Sequence, residues 1–181
     1  MKVSGIDCTD IKGKDSQGLQ EFLNKQVFKH QASNLGITYV VYYNRKAIGF
    51  VTLATSNIHK NSIQKPRPST RTTPYFPAVI VAYFAVHKPY WGNDLGSFIM
   101  DWSTGLARNF SRKIGVRYMI LFARDALGFY EKRFFKRAEI LEQTCPHCQK
   151  AISQGEQSFQ LMYADIFPEN KTEEIKNKEK L

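Results

Sequence analysis

Between Trp91 and Ser97 the chain reads Trp-Gly-Asn-Asp-Leu-Gly-Ser, two glycines set among polar side chains. Ahead of it, Ala78 to Val86 is a run of apolar, β-branched and aromatic residues, the pattern of a strand buried on both faces. Lys88-Pro89 stops that strand, because proline has no N–H to give a ladder. Behind the turn, Leu95, Phe98, Ile99, Trp102, Leu106 and Phe110 recur at helical spacing. Strand, glycine turn and helix in that order leave backbone N–H groups and the positive end of a helix dipole pointing beyond the strand. Such a turn can hold an anion, and a diphosphate is the usual occupant. The alternative is a plain strand-to-helix connection.

Cys145-Pro-His-Cys148 is the second chemical candidate. A structural zinc site takes four ligands. His147 lies between the two cysteines, where simultaneous ligation is awkward, and the other cysteine, Cys8, is remote. The string looks like one zinc knuckle, against which stands a tight turn with reduced thiols; no metal is expected. Three cysteines, an odd number, predict no disulfide framework.

Charge is the third signal. The formal net charge is +10 over 181 residues. No Asp or Glu occurs from Phe22 to Asn93, while Lys25, Lys29, Arg45, Lys46, Lys60, Lys65, Arg67, Arg71 and Lys88 fall there. The span is either a solvated basic face or the footprint of a polyanion, nucleic acid first. Lys65, Arg67 and Arg71 are the RNA-contact candidates. They sit in a polar, proline-rich stretch, 57–77, read as one long loop.

The positioning elements follow from periodicity. Leu19, Phe22, Leu23, Val27 and Phe28 fall on one helical face, ended near Gly36. Residues 37–43 and 47–56 form an antiparallel hairpin around Asn44-Arg45. Tyr118 to Arg124 is a further buried strand, with Asp125 placed to cap a short helix. Ile140 and Leu141 belong to the next strand, and residues 158–166 to the last. One domain is expected over 1–167, with a charged tail at 168–181. No run of eighteen apolar residues exists and the N-terminus lacks a signal-peptide segment, so a cytoplasmic, non-membrane protein is expected.

The strand and turn resemble the acyl-CoA-binding segment of the GNAT acetyltransferase superfamily. There a strand ending in a Leu-Ala-Val-like triplet leads to Q/R-x-x-G-x-G/A and a helix. Here the triplet is Phe84-Ala85-Val86, and Gly96 keeps the last motif position. Trp91 replaces the usual Gln or Arg, and Asp94 replaces the first glycine. Asp94 either turns a carboxylate towards the diphosphate, which repels it, or caps the helix with its side chain. The string Ala126-x-x-Phe129-Tyr130-Glu131-Lys132 with Phe135 is similar to the second GNAT signature, A-x-x-F-Y-E-K-x-G-F, Phe134 standing for its glycine. Asp7-Cys8, Leu19-x-x-Phe22-Leu23, Thr38-Tyr39-Val40 and Ile48-Gly49-Phe50-x-Thr52-Leu53 look like the subgroup containing the toxins of toxin–antitoxin pairs, which acetylate aminoacyl-tRNA. The match covers most of residues 6–140.

The resemblance implies an α/β fold: a mixed, mostly antiparallel sheet with a central splayed strand pair and flanking helices. It implies acetyl-CoA as donor, its arm entering between the strands at 78–86 and 118–124. Main-chain groups of Phe84, Ala85 and Val86 would hold the pantetheine. Trp91, Gly92, Asn93, Asp94, Leu95, Gly96 and Ser97 would hold the diphosphate. Tyr130 would protonate the departing thiolate. A tRNA, a small antitoxin protein and a second copy in a homodimer are the implied partners, and no metal is expected. Many of these enzymes place a glutamate on the central strand to deprotonate a lysine-like amine of pKa about 10.4. Here that strand offers only Tyr83 and His87. The missing acid favours an α-amine, whose pKa of about 7.7–8.0 leaves much of it neutral. Three classes stay open: an acetyltransferase of charged tRNA, one of a protein N-terminus or small amine, and a non-catalytic acyl-CoA- or RNA-binding relative.

Overall fold

The computed structural model describes residues 5–15, 17–66, 74–124, 126–139 and 159–167. Among them, six strands form one sheet in the order β1-β2-β3-β4-β6-β5. They are β1 (Ile37–Tyr43), β2 (Lys46–His59), β3 (Tyr75–Val86), β4 (Tyr118–Ala123), β5 (Lys136–Arg137) and β6 (Gln160–Asp165). All pairings are antiparallel except β3 with β4. A parallel pair needs a crossover, and α3 (Leu95–Ile114) provides it. The β1–β2 hairpin turns through Asn44 and Arg45, at φ 47° and 61°, the left-handed pair a two-residue hairpin requires.

Two faces of the sheet are covered differently. On one, Ile99, Met100 and Ala107 of α3 pack against Val51, Leu53, Val79, Val81, Met119 and Leu121. Burying each of the larger side chains contributes about 1.5–3 kcal/mol. The helix comes close because it presents small residues: Ser103 and Ala107 are fully buried. Ser103 satisfies its hydroxyl by donating to the Ile99 carbonyl (2.7 Å). Gly49 takes part in the same approach, since a Cβ there would meet Ile99 Cδ1 at 3.0 Å. On the opposite face lie α1 (Leu19–Glu21), a π-helical turn (Phe22–Gln26) and α2 (Val27–Ala32). Phe22, Leu23 and Val27, with Ile6 and Cys8, cover Phe50 and Ala85 there. A third cluster, including Ile58, Ile63, Phe76, Tyr118, Ile120 and Tyr163, closes the far end.

Several expectations change. The stretch 57–77 is not one loop: β2 continues to His59, Lys60–Ser62 is a 3₁₀ turn, and β3 begins at Tyr75. Buried Ile58 and Phe76 lie between less buried neighbours, Asn57 and His59 for one and Tyr75 and Pro77 for the other, so half-buried strands read as a polar loop. Pro77 is accommodated one residue before β4 begins to pair. The α3 stripe is also displaced: Phe98, Trp102 and Phe110 are 61%, 41% and 36% exposed. Phe28 leaves the buried face as well, 52% exposed. The Val27 N–H bonds the Phe22 carbonyl, an i→i+5 bond, and this wide turn keeps Val27 inside instead. The strand after α4 (Leu127–Glu131) is Lys136–Arg137, while Ile140, Leu141 and the tail at 168–181 lie outside the described residues.

Candidate active site: the gap between β3 and β4

β3 and β4 pair over Ala78–Val81 against Tyr118–Leu121 and no further. Beyond Val81, β3 runs on with β2 alone, and beyond Leu121, β4 runs on with β6 alone. The cause is local. Thr52 pairs with Tyr83 but Leu53 pairs with Val81, so Ala82 is an extra residue. A bulge bends its strand, and Ala82 follows directly on the last β3–β4 pair. It also exchanges faces. Val79 and Val81 look towards α3 before it, and Phe84 and Val86 after it. Tyr83 and Ala85 turn to the opposite face, where Tyr83 stacks on Phe22 with ring centroids 3.5 Å apart.

Antiparallel alternation assigns the free main-chain groups. His87 N–H donates to the Ile48 carbonyl (2.8 Å), so His87, Ala85 and Tyr83 direct their groups at β2. Phe84 and Val86 direct theirs into the gap. Of the triplet, two residues therefore line the gap with N–H and C=O. Ala85 is turned inward, its carbonyl 3.1 Å from where a Gly49 Cβ would stand. The Val86 carbonyl already accepts a hydrogen bond from Trp91 Nε1 (2.7 Å).

The turn that follows is exposed from Trp91 to Asp94. Asp94 stands at the N-cap of α3 with φ 54° and makes no side-chain cap bond, its own carbonyl accepting from Phe98 N–H (3.0 Å). The capping alternative for its carboxylate is thereby set aside. Phe134 likewise sits at φ 65°, 88% exposed. Both positions at which the GNAT pattern has a glycine and this chain does not thus keep a left-handed backbone, at a steric penalty of about 1–2 kcal/mol each. Gly96 has a different reason to be small. A Cβ there would lie 3.3 Å from the Phe129 ring, which α4 lays across the first turn of α3.

Aromatic rings join the gap to α4. Phe84 stacks on Phe129 (6.1 Å), Phe129 meets Tyr130 edge-on (5.1 Å), and Tyr130 meets Phe135 (6.0 Å). Tyr130 is half-buried and packed against the α3-side core. Burial pushes its hydroxyl up to about 12, so it keeps its proton throughout the physiological range. Ala126 is the N-cap of this helix, and Asp125 lies outside the described residues.

His87 is committed elsewhere. Its Nδ1 accepts the Asp7 N–H (2.9 Å), which leaves the neutral ring with its proton on Nε2 and no free lone pair. The same contact brings a carboxylate to the strand end that linear sequence kept far away. Asp7 accepts from the Thr9 hydroxyl (2.6 Å) and N–H (3.0 Å), and these bonds, then Lys88 and His87, lower its pKa. Neither β3 nor β4 carries an Asp or Glu. Lys65 is exposed, its loop held by Ile63 in the third cluster and by Gln64 N–H donating to Tyr163 Oη (2.8 Å). Arg67, Arg71, Cys145, His147 and Cys148 lie outside the described residues. Among those described, no cluster of three His, Cys, Asp or Glu side chains could hold a metal. Cys8 is buried and its thiol is pushed up to about 12 by burial, an inert state.

The residue that sequence reasoning missed is Arg133. It lies over the Phe129 ring (4.1 Å), donates to the Phe129 carbonyl (3.0 Å), and bonds Ser97 Oγ in the first turn of α3. Its spacing of four from Phe129 at a helix end was the available signal.

A sheet of this order, a β3–β4 pairing that ends at a bulge, and a crossover helix starting beside it define the GNAT fold. Solved structures with the same architecture bear this out. AtaT complexed with acetyl-methionyl-tRNAfMet is 14% identical over 97% of this chain and 90% of that one, with a TM-score of 0.70. A tyrosine-to-phenylalanine mutant of KacT is 15% identical over 91% and 87%, with a TM-score of 0.70. AtaTR bound with acetyl-CoA is 16% identical over 91% and 86%, with a TM-score of 0.65. No protein-family model and no curated protein matches the chain.

Proposed function

We propose that the chain is an acetyl-CoA-dependent N-acetyltransferase whose acceptor is the α-amine of aminoacyl-tRNA. The observation that carries the reading is the loss of the β4 partner by β3 after Val81, with Tyr130 joined to that gap through Phe129. A pantetheine arm is an extended diamide, and the N–H and C=O of Phe84 with the N–H of Val86 offer it a strand's bonds. The turn at 91–97 and the start of α3 suit its diphosphate. The complexes of AtaT with acetyl-methionyl-tRNAfMet and of AtaTR with acetyl-CoA support this choice of acceptor and donor.

In the reaction the neutral amine attacks the thioester carbonyl, and the carbon–sulfur bond breaks as the adduct collapses. A thiol titrates near ~8.5, well below Tyr130, so complete proton transfer from tyrosine to thiolate is uphill. Tyr130 instead donates a hydrogen bond to the developing thiolate, and the proton lost by the adduct's ammonium ends on that sulfur, giving the amide and the free CoA thiol. An α-amine needs no carboxylate base on β3, and none is there. Lys65, Arg67 and Arg71 belong to the proposed RNA surface. A small antitoxin protein is a proposed partner, supported by AtaT bound to the C-terminus of the antitoxin AtaR. A homodimer and a cytoplasmic site of action complete the reading. No helix among the described residues is long and apolar enough to cross a membrane.

A second reading, a non-catalytic acyl-CoA- or RNA-binding relative, has two observations in its favour. Trp91 Nε1 occupies the Val86 carbonyl, and Asp94 leaves an uncapped carboxylate in the loop. Labelled acetyl-CoA presented with charged tRNA, free methionine and a peptide N-terminus separates the readings. Transfer to charged tRNA should dominate and fall steeply with salt, with a log–log slope of about −0.7 to −0.9 per phosphate contacted. Replacing Lys65, Arg67 and Arg71 together with alanine should raise KM for tRNA alone. A flat salt response, or equal transfer to free methionine, contradicts the tRNA reading. No transfer to any amine favours the non-catalytic one.

A further inference from the structure

We infer that Arg133 is the cation that meets the diphosphate of the acyl-CoA, an assignment that rests on the reading of the gap as an acyl-CoA site. The turn that should hold this group is electrostatically poor. Residues 91–97 carry no Lys or Arg and one carboxylate, Asp94. The position where the family pattern has Gln or Arg holds Trp91, whose polar atom is spent on the Val86 carbonyl. Lys88, the nearest cation in sequence, extends its Nζ to Thr9 Oγ1 (3.1 Å) instead. The start of a helix supplies about half a positive charge, which one carboxylate more than cancels.

Arg133 arrives from the other side. It follows α4 and reaches the first turn of α3 by bonding Ser97 Oγ. Its plane lies against the Phe129 ring, 4.1 Å from the centroid, and it donates to the Phe129 carbonyl. Those contacts use two of the five guanidinium N–H groups. Nε is buried and has no partner. The side chain also borders an open recess lined by Asp101, Thr104, Arg108 and Lys132, so it is reachable from solvent. A guanidinium fixed at one face by a ring, anchored to α3, and left with unused donors is preorganised for a bidentate oxyanion. The ring it rests on is the one that stacks on Phe84, so cofactor arm and charge are served by one cluster.

Titration calorimetry with three probes separates this role from a purely structural clamp between α3 and α4. CoA and dephospho-CoA both carry the diphosphate; pantetheine carries none. Arg133→Ala should weaken CoA and dephospho-CoA alike, by about tenfold to a hundredfold for a lost charge-assisted bidentate contact. Pantetheine affinity should be unchanged, since pantetheine carries no diphosphate. Arg133→Lys should recover part of the loss, since it restores charge without the fork. An equal loss on pantetheine, accompanied by a lower thermal midpoint, overturns the assignment in favour of the clamp. A loss seen with CoA and absent with dephospho-CoA moves Arg133 to the 3′-phosphate and overturns it too. If the unmodified protein binds none of the three, the reading of the gap itself fails. If it binds CoA and Arg133→Ala changes nothing, only this inference fails.

Discussion

The two halves of β3 are made of the same kinds of residue and do opposite work. From Ala78 to Val81 the strand is paired on both sides, to β2 and β4. From Tyr83 to Val86 it is paired on one side. Both halves are apolar, and both pack side chains against the α3-side core, Val79 and Val81 in one, Phe84 and Val86 in the other. The lower half is sheet interior; the upper half is a sheet edge held open inside the molecule. An unpaired edge ordinarily invites another strand. Here it offers two residues' main-chain groups to an extended ligand. One inserted residue, Ala82, separates the two behaviours.

Substitutions can break the comparison from either side. The largest effect belongs to the open half: Tyr130→Phe keeps the ring contacts with Phe129 and Phe135 and removes the hydroxyl. Turnover should fall by about 10²–10³, the loss of one hydrogen-bond donor to the developing charge, with acetyl-CoA affinity and thermal midpoint unchanged. In the unmodified protein kcat/KM should rise with pH through the α-amine's range of about 7.7–8.0. It should show no falling limb from tyrosine ionisation until pH nears 12, because burial raises that pKa and the protonated donor is the form present below it. Near-normal turnover in Tyr130→Phe assigns the donor to another group. In the closed half the expected loss is stability. Leu121 is 2% exposed, and Leu121→Ala should cost about 2–5 kcal/mol, read as a lower urea midpoint with KM for acetyl-CoA preserved.

The smallest effects come from the two left-handed positions. Phe134→Gly should stabilise by up to about 1 kcal/mol, the relieved backbone penalty less glycine's greater chain entropy. Asp94→Gly should do the same and also tighten acetyl-CoA by up to about fivefold, the value of one exposed charge pair. Equal affinity in both variants shows that the Asp94 carboxylate does not face the diphosphate.

Much of this was legible in linear sequence, for reasons that can be named. The hairpin at 37–56 and the strand–turn–helix at 78–110 rest on local periodicity and on residues that stop elements, so their existence could be read directly. What escaped depends on contacts between distant segments. Helical spacing put Phe98, Trp102 and Phe110 on the core stripe, yet α3 makes its closest approach through Ser103 and Ala107, because close approach to the sheet favours small residues. A π turn moved Phe28 outward by one added residue per turn, which no 3.6-residue pattern anticipates. The absence of acids from 22 to 93 was true of the chain, while folding brings Asp7 against His87 and Lys88. Tyr130 was marked by a motif; Arg133 occupies the motif's variable position and is marked only by what it touches. Arg67, Arg71 and the Cys145–Cys148 pair lie outside the described residues, so their readings stand on sequence alone.

The difference between the halves of β3 is most directly tested by amide hydrogen exchange, residue by residue, with and without acetyl-CoA. Without it, Val79 and Val81 should be strongly protected and Phe84 and Val86 should exchange faster, since only the former have partners on both sides. On adding acetyl-CoA, protection should rise at Phe84 and Val86 and stay unchanged at Val79, Val81 and inward-facing Ala85. An unchanged exchange rate at Phe84 and Val86 with saturating acetyl-CoA, or a uniform rise along the whole strand, contradicts the account.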